Sequence, residues 1–65
     1  MITLGDLLNV MDENEDINVR DSNGLIISCY NGKDSIDDEL LDHIVTLITS
    51  DEAYGSISIY VKEPT

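Results

Sequence analysis

The chain predicts an α+β fold built as one small domain over residues 1–65: an N-terminal helix packed on an antiparallel sheet of three to four strands, with a short second helix. Three observations lead there. Leu4, Leu7, Leu8 and Met11 recur at i, i+3, i+4 and i+7, the spacing of one helical face. Residues 17–21 and 56–61 alternate apolar and polar, the period of a half-buried strand. Asp21-Ser22-Asn23-Gly24 then separates two strand-like runs with a turn whose glycine is free to take positive φ.

The first helix begins after Thr3, an N-cap residue, with Asp6 three positions on in the capping-box place and suited to the positive end of the helix dipole. Ile2, just before the cap, is placed to staple onto Leu7, and the helix is expected to end near Met11. Asp12-Glu13-Asn14-Glu15-Asp16 follows, four acids in five residues with nothing to bury, and reads as a loop. Residues 17–21 and 25–30 form a hairpin, closed by a second turn signal at Asn31-Gly32-Lys33-Asp34. From 35 to 50 two readings compete. Ile36, Leu40, Leu41, Ile44, Leu47 and Ile48 satisfy a continuous helical stripe over 36–49, yet residues 44–49 hold five β-branched side chains in six. A helical turn at 35–42 followed by strands at 44–49 and 56–62 is the assignment adopted, with the single helix as its competitor. On the final strand Ile57, Ile59 and Val61 fall on one side, expected to face the apolar stripe of the first helix, with Tyr60 and Lys62 facing outward or toward a partner.

Sixty-five residues bound what such a domain does. A chain of this length buries only about 60% of the surface its unfolded form exposes, and its core rarely supplies more than ~3 to 5 kcal/mol of net stability. A deep enclosed active site is hard to fit. The apolar fraction of 42% is nevertheless too high for a disordered acidic tail. The longest apolar run is three residues, as in Leu25-Ile26-Ile27, where a membrane span needs about 20. With no secretory leader and a lone thiol, Cys29, the expected setting is a reducing bacterial cytoplasm and no membrane partner.

Catalytic chemistry finds little material. The one histidine and one cysteine, His43 and Cys29, make no triad, and Cys29 lies mid-strand without a cationic neighbour in sequence. His43 follows Asp42 and reads as a solvated side chain at the edge of an acidic stretch. Zinc wants more Cys and His than the chain owns. Asp12, Asn14 and Asp16 match the opening of a calcium loop, but Ile17 stands where that loop turns on glycine and Asn23 where it needs glutamate. A non-enzymatic protein without a cofactor is the expectation.

What stands out is charge: fourteen Asp and Glu against three Lys and Arg, net −11. A compact chain of this length is a globule roughly 28 Å across, and duplex DNA of that length carries about 16 negative charges. The two are of the same order. Repulsion argues against nucleic acid as a direct partner and points to a basic surface, such as the groove of a protein that binds nucleic acid. The acids fall in three blocks, offered as partner-binding residues: Asp12, Glu13, Glu15 and Asp16; Asp34, Asp37, Asp38, Glu39 and Asp42; Asp51 and Glu52. Acidity also keeps small proteins soluble, and acids favour loops and helix starts, so the clustering has a structural reading beside the functional one.

The pattern Thr3-Leu4-Gly5-Asp6-Leu7-Leu8, Ile17-Asn18-Val19-Arg20-Asp21, Asn23-Gly24 and Asp38-Glu39-Leu40-Leu41-Asp42 ahead of a strand-like end covers most of the chain. It resembles the short acidic accessory proteins of phages and mobile elements in Gram-positive bacteria, among them anti-CRISPR proteins. The resemblance implies a stoichiometric inhibitor that mimics nucleic acid and blocks the nucleic-acid-binding surface of a Cas effector or another host defence protein. The second reading is of another class: a small interaction or assembly module, homodimeric in one form, that pairs through a sheet edge or apolar face. Acidic blocks gathered on one face favour the first; a long uncovered edge strand favours the second.

Overall fold

The structure is a computed structural model, and it describes residues 1–12, 14–30, 36–51 and 55–64. Its element order is α1 (Leu4–Leu8), β1 (Ile17–Arg20), β2 (Ile26–Tyr30), α2 (Asp38–Leu41), β3 (Ile44–Asp51) and β4 (Ser56–Lys62). The fold is α+β, as the sequence predicts. The four strands lie in one sheet in the order β2-β1-β4-β3, with both helices against one face.

Local chemistry accounts for most boundaries. Thr3 is the N-cap of α1, its Oγ1 accepting from the Asp6 N–H at 3.2 Å. The helix stops at Leu8, three residues short of the sequence expectation; Asn9 caps it, and Val10 and Met11 continue as a turn. The Ile2 carbonyl accepts from the Val45 N–H at 2.9 Å while the Leu4 N–H donates to the His43 carbonyl at 2.8 Å, laying the N-terminal residues along the start of β3. In the β1/β2 turn the Asp21 carboxylate accepts from the Asn23 and Leu25 N–H groups, and Gly24 takes φ 85°, the left-handed region that glycine enters without strain. The turn signal at 31–34 lies outside the described residues.

The competition over 36–49 resolves toward two elements. Only residues 38–41 are helical, and Ile44 to Asp51 form a strand paired antiparallel with β4. β-branched side chains lose rotamer freedom in a helix and pack well on a pleated surface. The ladder shifts register between Val45 and Leu47, a bulge at which the Thr46 hydroxyl donates to the Tyr60 carbonyl at 3.2 Å.

One expectation is corrected. The sheet is mixed rather than antiparallel throughout, because β1 and β4 run parallel, with Ile17 beside Ile57 and Val19 beside Ile59. Each hairpin, β1/β2 and β3/β4, is antiparallel, and the two meet along their inner strands. The connection carrying α2 crosses from β2 at one edge to β3 at the other, which gives the parallel neighbours the long crossover they require. Apolar alternation is the same in either direction, so it carries no information on this point.

The core lies between the helices and one sheet face. Leu4, Ile17, Val19, Tyr30, Ile36, Ile59 and Val61 are buried, and Leu7, Leu8, Met11, Leu40, Leu41, Val45 and Ile57 pack against them. Ile57, Ile59 and Val61 thus share the helix-covered side with the apolar stripe of α1. On the opposite face Asn18, Arg20, Ser56, Ser58 and Tyr60 stand in register, with no element over them among the described residues. Ser56 and Ser58 are buried there beneath longer neighbours: the Arg20 Nε–H donates to Ser58 Oγ at 3.2 Å, and Asn18 Nδ2 donates to Ser56 Oγ at 3.5 Å.

Candidate functional site: the acidic helical layer

The helical layer is where the described acids accumulate. In and just before α2, Ile36, Leu40 and Leu41 take the positions turned to the core, which leaves Asp37, Asp38, Glu39 and Asp42 exposed. Asp37 is the N-cap residue, and Asp38 and Glu39 occupy the first turn, where negative charge is compatible with the free backbone N–H groups. The His43 Nδ1 lies 3.1 Å from the Glu39 carbonyl, closing the turn that leads into β3.

Gly5 brings α1 onto α2. A Cβ at that position would lie 3.3 Å from the Leu41 carbonyl oxygen and 3.4 Å from the Leu41 Cβ, closer than most side chains tolerate, so its absence permits the approach. As a result Asp6 and Asp42 line one open hollow of about 400 Å³, together with Thr3, Leu8, Asn9 and Tyr30. Asp6 is the acid that sequence reasoning treats only as a cap. The adjacent Gly5, inside a helix where glycine costs about 1 kcal/mol relative to alanine, is the signal for a close helix contact.

Asp12, Glu15, Asp16 and Asp51 sit at one end of the sheet, and Asp21 and Glu63 at the other. Asp12, Glu15 and Asp16 belong to the α1–β1 connection, in which Asp12 Oδ1 accepts from the Asn14 N–H at 2.9 Å. The Ile57 N–H donates to the Asp16 carbonyl at 2.8 Å, and Asp51 stands opposite Ser56. Asp16 and the backbone of Asp51 therefore flank the start of β4, two strand spacings or about 10 Å apart. The three blocks thus occupy two regions, the helical layer and this end of the sheet. Glu13, Asp34 and Glu52 lie outside the described residues.

The two described basic residues, Arg20 and Lys62, lie elsewhere. Arg20 projects on the open sheet face, where its Nη1 also donates to the Gly24 carbonyl at 2.7 Å, and Lys62 ends β4. Residues 1–16 and 36–43, which supply the helices and their approaches, hold nine of the fourteen acids and neither Lys nor Arg. Among the described residues the helical layer carries five exposed acids and neither Lys nor Arg.

Cys29 and His43 are not brought together. Cys29 is exposed on β2, its Sγ donating to Asn18 Oδ1 at 3.5 Å, while His43 precedes β3 at the far edge, three strand spacings or about 14 Å across the sheet and about 20 Å further along it, since Cys29 is level with Thr49. A nucleophile and its base need hydrogen-bond contact. Among the described residues no group of three or more His, Cys, Asp or Glu is placed to hold a metal ion.

Comparison with protein-family models, with curated proteins and with solved structures finds no match.

Proposed function

We propose that this protein is a non-enzymatic acidic decoy: it occupies the nucleic-acid-binding surface of a basic protein, with a Cas effector as the target its resemblance implies. The observation that carries the reading is the segregation of charge. Asp6, Asp37, Asp38, Glu39 and Asp42, exposed in and around the helices with neither Lys nor Arg among those described residues, give that side a negative field that Arg20, on the opposite sheet face, does little to offset. The longest dimension of the molecule is 33 Å, a length over which duplex DNA presents about 19 phosphates. A groove evolved to hold a phosphate backbone meets a comparable, though less dense, array here. The helical layer needs no moving part for this role, since complementarity of charge governs encounter and orientation.

The test is competition. A fluorescent oligonucleotide bound to a purified Cas nuclease should be displaced as the protein approaches one equivalent, while the protein alone leaves the oligonucleotide free. Tight binding of the isolated protein to the oligonucleotide at physiological salt contradicts the decoy. Failure to displace it from any member of a panel of Cas nucleases removes that class of target.

A further inference from the structure

Among the described residues the sheet has two outer edges with no strand beyond them, those of β2 and β3, and the edge of β3 is the longer. β3 is the longest strand, and β4 is its one strand neighbour among the described residues. The edge already accepts antiparallel pairing, because Ile2 and Leu4 bond to Val45 and His43 along its first residues. Past the bulge at Thr46 the register with β4 is regular from Leu47 to Asp51, which leaves a straight edge beyond the reach of the N-terminal residues. Natural sheets usually blunt such an edge with Lys, Pro or a covering element. Residues 44–50, Ile-Val-Thr-Leu-Ile-Thr-Ser, contain no charge and no proline, and Leu47 and Ile48 are 52% and 51% exposed on opposite sides of the strand.

We infer that this edge pairs antiparallel with the β3 edge of a second copy of the chain, about a two-fold axis normal to the sheet. The occupant follows from charge and symmetry. Two bodies of net charge −11 repel least where neither presents a carboxylate, and the run ending at Ser50 is the longer of the two uncharged edge stretches. An antiparallel edge is self-complementary across a two-fold, which makes the contact isologous and closed. The strength follows from size. One tenth of the 4511 Å² surface, the share a typical partner buries, is about 450 Å² per copy, or about 900 Å² in all, below the ~1,200 Å² at which standard interfaces begin. The dimer is therefore concentration-dependent.

Rotation about the sheet normal keeps both helical layers on the same face. The eight-stranded sheet then spans on the order of 34 Å between its outermost strands and carries the five exposed acids of the helical layer from each copy on one side. The pairing stands without the decoy reading; the consequence that it lengthens the acidic surface rests on that reading.

Sedimentation equilibrium of the isolated full chain tests the pairing without any target, so its failure and that of the decoy are distinguishable. A monomer–dimer equilibrium is expected, strengthening from 0.05 to 0.5 M NaCl as screening relieves repulsion, the opposite sense to target binding. Ile48→Glu should weaken the association constant at least tenfold. Ile26→Glu, the same charge change at a half-exposed residue of the opposite edge strand, should leave it within twofold. In wild type, hydrogen exchange of the amides at 46–51 should slow as concentration rises, a readout that does not depend on either variant folding. A monomer up to about 1 mM at every salt, exchange at 46–51 that ignores concentration, or a larger effect of Ile26→Glu than of Ile48→Glu overturns the proposal.

Discussion

Ile59 has no solvent exposure and lies between Val19 of β1 and Ile48 of β3, under the helices. Truncation to alanine leaves a cavity that neighbours on two strands cannot readily close, typically costing ~2 to 5 kcal/mol, comparable to the whole stability of a 65-residue domain. Ile59→Ala should be largely unfolded, and a circular-dichroism melt within a few degrees of wild type would mean the core lies elsewhere. Gly24 gives a smaller, separable effect. A Cβ there meets nothing within 4 Å, so the cost of Gly24→Ala is that of the left-handed backbone alone, about 1 to 2 kcal/mol. Gly24→Asn should lose less, since asparagine tolerates that region, and urea titration separates the two. Both positions were legible in the sequence, Ile59 from strict alternation and Gly24 from its place after Asp-Ser-Asn. Asp6 was not, because its partner Asp42 lies thirty-six residues away and only the close contact at Gly5 brings them to one hollow.

At the level of elements, β3 shows where local preference prevailed over periodicity. Residues 36–49 carry a helical stripe, but Ile44, Val45, Thr46, Ile48 and Thr49 are β-branched and the segment after Asp42 extends. α1 shows the reverse, a stripe longer than the helix: Met11 reaches the core from a turn rather than from a third helical turn. The order of strands and the parallel β1/β4 pair could not be read, since each depends on how two hairpins dock and not on any run of residues. The same holds for the acids. Their positions are plain in the sequence, while the separation of α2 from Arg20 by the thickness of the sheet emerges only on folding. Because Asp37, Asp38 and Glu39 are exposed and none accepts a side-chain capping bond from the helix, converting them to Asn, Asn and Gln should change the melting temperature by only a few degrees. Association of that variant with the target should be slower and less sensitive to salt between 0.05 and 0.5 M, a range over which the Debye length falls from roughly 14 to 4 Å. Wild-type affinity that is flat over this range would point to an apolar contact instead.

Over the whole molecule the radius of gyration is 10.7 Å, and the described residues form two layers, of which one carries Asp6, Asp37, Asp38, Glu39 and Asp42 and the other ends in a hydroxyl-rich sheet face that bears Arg20. Such an arrangement separates two tasks: the sheet and its core hold the fold, and the helical layer sets the field. The central claim is that the position of charge matters and not merely its amount. Two variants of equal net charge decide it, Asp38→Asn with Glu39→Gln on α2, and Asp21→Asn with Glu63→Gln at the far ends of β1 and β4, where asparagine keeps the Asp21 oxygen that closes the turn. In the oligonucleotide-displacement assay at 0.15 M salt, the α2 pair should raise the concentration needed for half displacement severalfold while the other pair leaves it near wild type; equal losses from both would show that bulk charge alone acts and would contradict the account.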